Sequence, residues 1–223
     1  MIVGIMGKAG AGKDTVAEIL KSELRFEHMR LADPMKEFCA EVFGFSREQL
    51  WGPSENRNKV DERWLYNEGK HEFSNMSPFC CVRCGAMFSS VPCGLTPRKA
   101  LQTLGTEWGR AMHPDTWVRI LVRRAKGSDV LNAFGEKVGY TVRRVVVSDV
   151  RFKNEFDAIK ADGGKMIRVV RPVDNGMRGA AAVHASETEQ DSIPDYAFDA
   201  VVRNDGTIPQ LSAAVKEIVR GWL

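Results

Sequence analysis

The sequence predicts an α/β protein, a doubly wound parallel sheet flanked by helices, and three observations carry the prediction. An apolar run, Ile2 to Met6, passes directly into a glycine-rich loop and then into a segment of helical periodicity. A second run, Val145–Val147, has no polar interruption, as a strand covered on both faces requires. Strand-like and helix-like segments alternate over most of the remainder, the pattern of crossovers between parallel strands.

The elements follow in order. Ile2–Met6 reads as a buried strand ending at Gly7. Lys13 to Leu24 places Val16, Ile19, Leu20 and Leu24 on one helical face. His28 to Leu31 is a second strand. Pro34 suits the first turn of a helix over Met35 to Phe43, because its missing N–H is not needed there. Ser46 to Asp61 is polar and charged. Residues 52–95 lose periodicity and read as an irregular, cysteine-containing insertion on a single domain spanning 1–223. Thr96-Pro97 restarts order as N-cap and first helical residue. Ala100, Leu101, Leu104, Trp108 and Ala111 then mark one face, which assigns Trp108 to the core. His113-Pro114-Asp115 breaks this helix, and Trp117, Ile120, Leu121 and Ala125 mark the next. The Val145–Val147 strand ends at Ser148-Asp149. A helix from Asn154 to Ala161 stops at Gly163-Gly164. Met166–Val170 and Phe198–Val202 are further strands, separated by a lid-like loop at about 172–186. Asn204-Asp205-Gly206 turns the chain into a closing helix over Ile208 to Val219.

Composition narrows the function classes. Lys and Arg number 32 against 29 Asp and Glu, a formal charge of +3, which argues against a protein that coats nucleic acid. No run approaches the ~18 apolar residues of a membrane span. The N-terminal stretch has no basic lead and no cleavage site, so it does not read as a secretion signal. The five cysteines are an odd count, four of them between 80 and 93, which fits a reducing, cytoplasmic address better than a disulfide framework.

The most specific motif is Gly7-Lys8-Ala9-Gly10-Ala11-Gly12-Lys13-Asp14-Thr15. Its glycines let several backbone N–H groups converge, and with the positive end of the following helix they form a cradle for phosphate oxygens. Lys13 reaches the outer phosphates as a mobile point charge. Asp14 stands where the usual phosphate loop has Ser or Thr. Thr15 is then a phosphate contact, and Asp14 a candidate for Mg²⁺ through water. Asn58-Lys59-Val60-Asp61 matches a guanine-reading pattern, but it comes too early and no Asp-x-x-Gly accompanies it. It reads as a solvated helix face. Asp149 falls at the carboxyl edge of the sheet, beside the phosphate loop. There it holds Mg²⁺ through water or orients the attacking oxygen, and Arg151 binds a phosphate. A strand-end salt bridge is the alternative for this pair.

Cys81-Val82-Arg83-Cys84-Gly85 has the two-residue gap of a chelating turn, and Cys93-Gly94 echoes it. Structural Zn²⁺ takes four ligands. The candidates are Cys81, Cys84 and Cys93, with Cys80 or His71 as the fourth. The segment has too few apolar residues for a core of its own, which makes a metal staple physically sensible. A reduced, partly buried thiol cluster is the alternative.

The loop ending in Gly12-Lys13-Asp14-Thr15 and the stretches Leu31 to Lys36 and Thr96 to Arg110 resemble the deoxynucleoside monophosphate kinases of tailed bacteriophages. So do Asp115 to Trp117, Ser148 to Glu155, His184 to Glu187 and Asn204 to Thr207. The resemblance covers most of the chain except about 52–95. The phosphate loop and the Asn204–Thr207 turn also resemble a wider kinase group that includes dephospho-coenzyme A kinase. The likeness implies a P-loop kinase fold and ATP- and Mg²⁺-dependent phosphorylation of a deoxynucleoside 5′-monophosphate. Lys13, Asp149 and Arg151 are the implied catalytic residues. Gly10, Ala11, Gly12, Lys13, Asp14, Thr15, Arg171 and Asn204 are implied at ATP. Asp33, Lys36, Gln102, Arg110, Trp117 and Arg151 are implied at the acceptor, where an amide, a guanidinium and an indole suit hydrogen bonding and stacking of a base. Trp117 is equally suited to the core. Arg171 and Arg178 are lid candidates. His184 and Glu187 carry the likeness without an assigned catalytic role. The implied partners are small-molecule nucleotides, with no nucleic acid and no membrane, and the likeness suggests a homodimer, in the host cytoplasm if the chain is phage-encoded. Two rivals stay open: a kinase for another phosphorylated small molecule such as dephospho-coenzyme A, and an ATP-dependent nucleic-acid-binding module with a cysteine ribbon. The second predicts salt-sensitive DNA binding, and the charge balance speaks against it.

Overall fold

The five segments expected as strands of the main sheet are all strands, and all are parallel. The computed structural model describes residues 1–74, 80–83, 92–127, 129–131, 137–140, 143–171 and 189–223, with backbone alone at 129–131 and 137–140. These residues form two compact units, Met1–Leu31 with Pro114–Leu223, and Ala32–His113.

In the first unit the strands are β1 (Ile2–Met6), β2 (Glu27–Met29), β3 (Asp129–Leu131), β4 (Lys137–Tyr140), β5 (Val145–Val147), β6 (Lys165–Val170) and β7 (Ala200–Arg203). The main sheet runs in the order β2-β5-β1-β6-β7. Gly4 of β1 lies opposite Val147 of β5 on one side and Met166 of β6 on the other, and Val147 in turn lies opposite Met29. This register brings the segments after β1, β2 and β5 to one carboxyl edge. The chain moves from β1 outward to β2 and later to β6 on the other side, so the loop after β1 opens at a topological switch point. β3 and β4 form a separate antiparallel pair that the periodicity of the sequence did not announce.

Both faces of the sheet are covered, which explains the continuous apolar runs. On one face Val3, Ile5, Val146, Ile167, Val169 and Val202 pack with α1 (Lys13–Leu24) and with the C-terminal helix Ile208–Arg220 through Val16, Leu20, Leu211, Val215 and Val219. On the other, Ile2, Met6, Val145, Val147 and Met166 pack with Val118 and Leu121 of the helix Thr116–Ala125 and with Phe156 and Ile159 of the helix Lys153–Ala161. Each such buried side chain contributes roughly 1.5–3 kcal/mol. Thr207 caps the C-terminal helix: its Oγ1 accepts from Gln210 N, while Gln210 Oε1 accepts from Thr207 N at 2.8 Å.

The second unit has α2 (Asp33–Phe43), with Pro34 in its first turn, α3 (Arg47–Trp51) and α4 (Pro97–Gln102), capped by Thr96. Its small core joins Cys39, Phe45, Leu50 and Ala100. Helix α3 corrects the reading of Ser46–Asp61 as merely polar. Ser46 and Gln49 form a capping box, Gln49 N donating to Ser46 Oγ at 3.1 Å and Ser46 N to Gln49 Oε1 at 2.8 Å, which starts a helix without an apolar stripe.

The chain runs on from α4 in a π-helix, Thr103–Arg110. Trp108, assigned to the core by a 3.6-residue projection, is 52% exposed. The wider i→i+5 winding carries it off the face it shares with Leu101 and Leu104 in a regular helix. Gly105 and Gly109 are the buried positions of this stretch instead. In the helices numbered onward, α5 is Thr116–Ala125, α6 is Lys153–Ala161 and α7 is Ile208–Arg220.

Candidate active site

The glycine loop turns between β1 and α1 as the motif requires. Gly7 passes so close to β6 that a Cβ there would sit 2.4 Å from Val169 O. Gly12, at φ 98°, caps α1 in a left-handed conformation that favours glycine. Lys13 Nζ folds back on the loop, donating to the carbonyls of Gly7 at 2.5 Å and Lys8 at 2.9 Å. Gly10 is exposed, Ala11 is buried, and Thr15 is half-buried in the first turn of α1.

Asn204 braces this loop from the end of β7. Its Nδ2 donates to Ala11 O at 2.9 Å, and its backbone N donates to Val170 O at 2.8 Å. A Cβ on Gly12 would lie 2.2 Å from the same Nδ2. The likeness implied Asn204 at ATP; the structure shows its side chain holding the phosphate loop.

Asp14 is exposed at the start of α1, and Ser148 Oγ donates to its Oδ1 at 2.9 Å. His28 Nε2 lies 2.9 Å from the same Ser148 oxygen. Ser148 has one proton and gives it to Asp14, so its oxygen accepts from His28 Nε2–H. Neither His28 nor Ser148 was singled out from the sequence. Ser148 was marked only by following the Val145–Val147 strand and by the Ser148–Glu155 likeness; His28, in the middle of β2, carried no signal.

Asp149 Oδ1 accepts from Leu31 N at 2.9 Å, tying the exit of β2 to that of β5. Arg151 is exposed, and its backbone N donates to Glu155 Oε2 at 2.8 Å, as does Phe152 N at 3.1 Å. Glu155 is 4% exposed, so it anchors the turn that presents Arg151. An acidic residue in the first turn of a helix was the available signal for it. Arg171 is exposed just past β6. Arg168 is committed to structure: it pairs with Asp195, donates to Gln190 O at 2.7 Å and Ile193 O at 2.6 Å, and lies 4.4 Å over the Phe198 ring. Trp117, in α5, is 7% exposed.

In the second unit Asp33 and Lys36 meet on Trp51, a residue the sequence reading passed over. Trp51 Nε1 donates to Asp33 Oδ1 at 3.1 Å, and Lys36 Nζ and the Arg47 guanidinium lie 5.5 Å and 5.7 Å from its ring centroid. Gln102 is exposed at the end of α4, and Arg110 is half-buried at the end of the π-helix.

Asp61 corrects the reading of Asn58–Asp61 as a solvated face, being 7% exposed. Arg63 grips it with Nε at 2.8 Å and Nη2 at 2.6 Å, and Gln49 Nε2 donates at 2.9 Å. The Arg63 guanidinium holds the Asp61 carboxyl well below the usual carboxylate range, against the opposing effect of burial and with help from Gln49.

Residues 90–215 match the deoxynucleotide monophosphate kinase family. A protein of Acanthamoeba polyphaga mimivirus that carries the deoxynucleotide monophosphate kinase name is 31% identical over 232 residues, covering 96% of this chain and 94% of its own. The chain belongs to the deoxynucleotide monophosphate kinase family. The deoxynucleotide monophosphate kinase of Enterobacteria phage T4 is 21% identical over 252 residues, covering 98% of both chains. The deoxynucleoside-5′-monophosphate kinase of Escherichia phage T5 is 25% identical over 194 residues, 72% of each.

The kinase-family residues named from the sequence divide between the two units. Lys13, Asp14, Thr15, Trp117, Asp149, Arg151, Arg171 and Asn204 belong to the first, and Asp33, Lys36, Gln102 and Arg110 to the second. Arg178, His184, Glu187 and the lid-like loop lie outside the described residues, as does Cys84. Among the described residues, no helix is long and apolar enough to cross a membrane.

Proposed function

We propose that this chain transfers the γ-phosphoryl group of ATP to a deoxynucleoside 5′-monophosphate, giving the diphosphate and ADP. The observation that carries the reading is the braced phosphate loop, Gly7 to Thr15, in a chain of this kinase family. An oxygen of the acceptor phosphate bonds to the γ-phosphorus as the bond to the β–γ bridging oxygen breaks. The acceptor oxygen is already anionic, so the reaction asks for positioning and charge neutralisation rather than a strong base.

The loop amides and the N-terminus of α1 receive the phosphate tail. Lys13, which donates to two loop carbonyls in its own turn, turns to the β- and γ-oxygens when they arrive. Asn204 keeps the Ala11 peptide from turning away. Arg151, whose turn is anchored by Glu155, neutralises the acceptor phosphate, and Arg171 the ATP side. Gln102, Arg110 and the Asp33–Lys36–Trp51 group are the candidates for the nucleoside. Asp14, Thr15, Ser148 and Asp149 offer hard oxygen donors where β1 and β5 end, a set that fits Mg²⁺. Mg²⁺ bound with ATP supplies further neutralisation of phosphate charge.

The test is an ADP-release assay over all deoxy- and ribonucleoside monophosphates, with dephospho-coenzyme A in the same panel. Turnover with one or more deoxynucleoside monophosphates is expected; turnover with dephospho-coenzyme A alone overturns the reading. Lys13→Ala is expected to lower kcat at least ~100-fold with the circular dichroism unchanged. Near-normal turnover of that variant removes the loop from the chemistry.

A further inference from the structure

The described residues between Glu62 and Cys93 form no apolar core. Among them, Trp64, Leu65, Phe73 and Val82 are exposed, and the buried side chains are those of Cys81 and Cys93. The two thiols face each other, Sγ to Sγ 3.6 Å apart. That is far outside the ~2.05 Å of a disulfide. It is close to the ~3.8 Å edge of a tetrahedron whose sulfurs lie ~2.3 Å from a central Zn²⁺. His71 completes the group: a ring nitrogen of His71 and the two sulfurs all lie within 4.8 Å of one another. Cys80, the other candidate from the sequence, is not a member of it.

The backbone is arranged to hold these atoms. Glu72 N donates to Cys81 Sγ at 3.4 Å, which fixes the direction of that sulfur. Val82 N donates to Glu72 O at 2.8 Å, so the residues after His71 and after Cys81 are clamped together. Cys93 is clamped to the same stretch, its N donating to Gly69 O at 2.7 Å and its O accepting from Tyr66 N at 2.9 Å. Gly94 beside it leaves no room for a side chain, since a Cβ there would meet Val60 at 2.4 Å. Three ligating side chains from three separate stretches of chain thus converge where an apolar core would otherwise be needed.

We propose that His71, Cys81 and Cys93 hold a structural Zn²⁺ that staples this segment. Both thiolates and a neutral imidazole are the ligand types zinc takes in closed structural sites. Binding releases the thiol protons and contributes directly to the folding of a segment whose described residues bury little else. Cys84, which the sequence grouped with Cys81 and Cys93, lies outside the described residues, and the proposal rests on His71, Cys81 and Cys93. The site stands apart from phosphoryl transfer: none of the three belongs to the residues assigned to ATP or the acceptor.

The experiment is elemental analysis of the full chain purified without chelator, with Co²⁺ replacement as a second readout. About one zinc per chain is expected, and the Co²⁺ form should show thiolate-to-metal charge transfer in the near ultraviolet and the visible bands of a four-coordinate ion. The wild-type chain alone therefore keeps the proposal falsifiable even where a variant fails to fold. Cys81→Ala and Cys93→Ala should lose the metal. His71→Ala should weaken retention against chelator by more than the ~10–100-fold cost of losing an outer-shell partner. Cys80→Ala should keep full occupancy. A zinc-free wild type that takes up no Co²⁺, or a Cys81–Cys93 disulfide in the freshly purified chain, overturns the site. Loss of zinc in Cys80→Ala with full retention in His71→Ala overturns the ligand set.

Discussion

Asn204 donates its side-chain amide to the carbonyl of Ala11 at 2.9 Å, joining the end of the last strand to the phosphate loop across 193 residues of sequence. The same amide nitrogen is the atom that a Cβ on Gly12 would strike. A neutral hydrogen bond is worth about 1 kcal/mol. Asn204→Ala is therefore expected to raise the KM for ATP about fivefold with kcat changed less. Gly12→Ala should be worse, because it adds a left-handed strain to the collision. In the double variant the collision is gone, so the two losses should be less than additive. Full additivity in the kinetics of the three variants would mean that the two residues act separately.

Arg151 owes its place to Glu155, whose carboxylate accepts from the backbone N–H groups of Arg151 and Phe152. Arg151→Ala should raise the KM for the monophosphate at least ~10-fold while leaving ATP binding, read by calorimetry, within twofold; a charge-assisted hydrogen bond is worth about 1.5–3 kcal/mol. An unchanged acceptor KM and kcat would take Arg151 out of the acceptor site.

The Asp61–Arg63 fork predicts an acid-sensitive contribution to stability. The native carboxyl binds its proton at lower pH than the unfolded one, so its contribution is fully present above the ordinary carboxylate range near pH ~4. It is lost as pH falls from there toward the depressed native value. Asp61→Asn should cost about 2 kcal/mol at pH 7, of order 5 °C in Tm. The gap between the two melting curves should stay constant from pH 8 to 5 and narrow below pH 4. A gap that widens with acid would contradict the assignment.

Trp108 should be nearly silent in stability. A core tryptophan cut to alanine costs about 3–5 kcal/mol. At 52% exposure on the π-helix, Trp108→Ala is expected to cost below ~1 kcal/mol in urea unfolding. A loss of core size would restore the reading of a regular helix here.

The sequence by itself determined the elements whose signal is local. β1, the glycine loop and α1 were legible because an apolar run, a turn that needs glycine and a helical stripe are each written in neighbouring residues. The cap at Thr96 and the proline in the first turn of α2 were legible for the same reason. Only the tertiary structure decided what depends on partners distant in the chain. The His28–Ser148–Asp14 chain joins the middle of β2, the exit of β5 and the first turn of α1, and no spacing in the sequence relates them. Asn204 stands out in the sequence only as part of the Asn204–Thr207 turn; its hold on Ala11 exists because β7 lies in the same parallel sheet as β1. Trp108 failed for a different reason: periodicity assumes one helical pitch, and the winding that sets the pitch is chosen by the packing of Gly105 and Gly109. Asp61 failed because a charged residue reads as solvated until its guanidinium partner is placed beside it. Local conformational preference is encoded in adjacent residues; burial and pairing are properties of the folded chain.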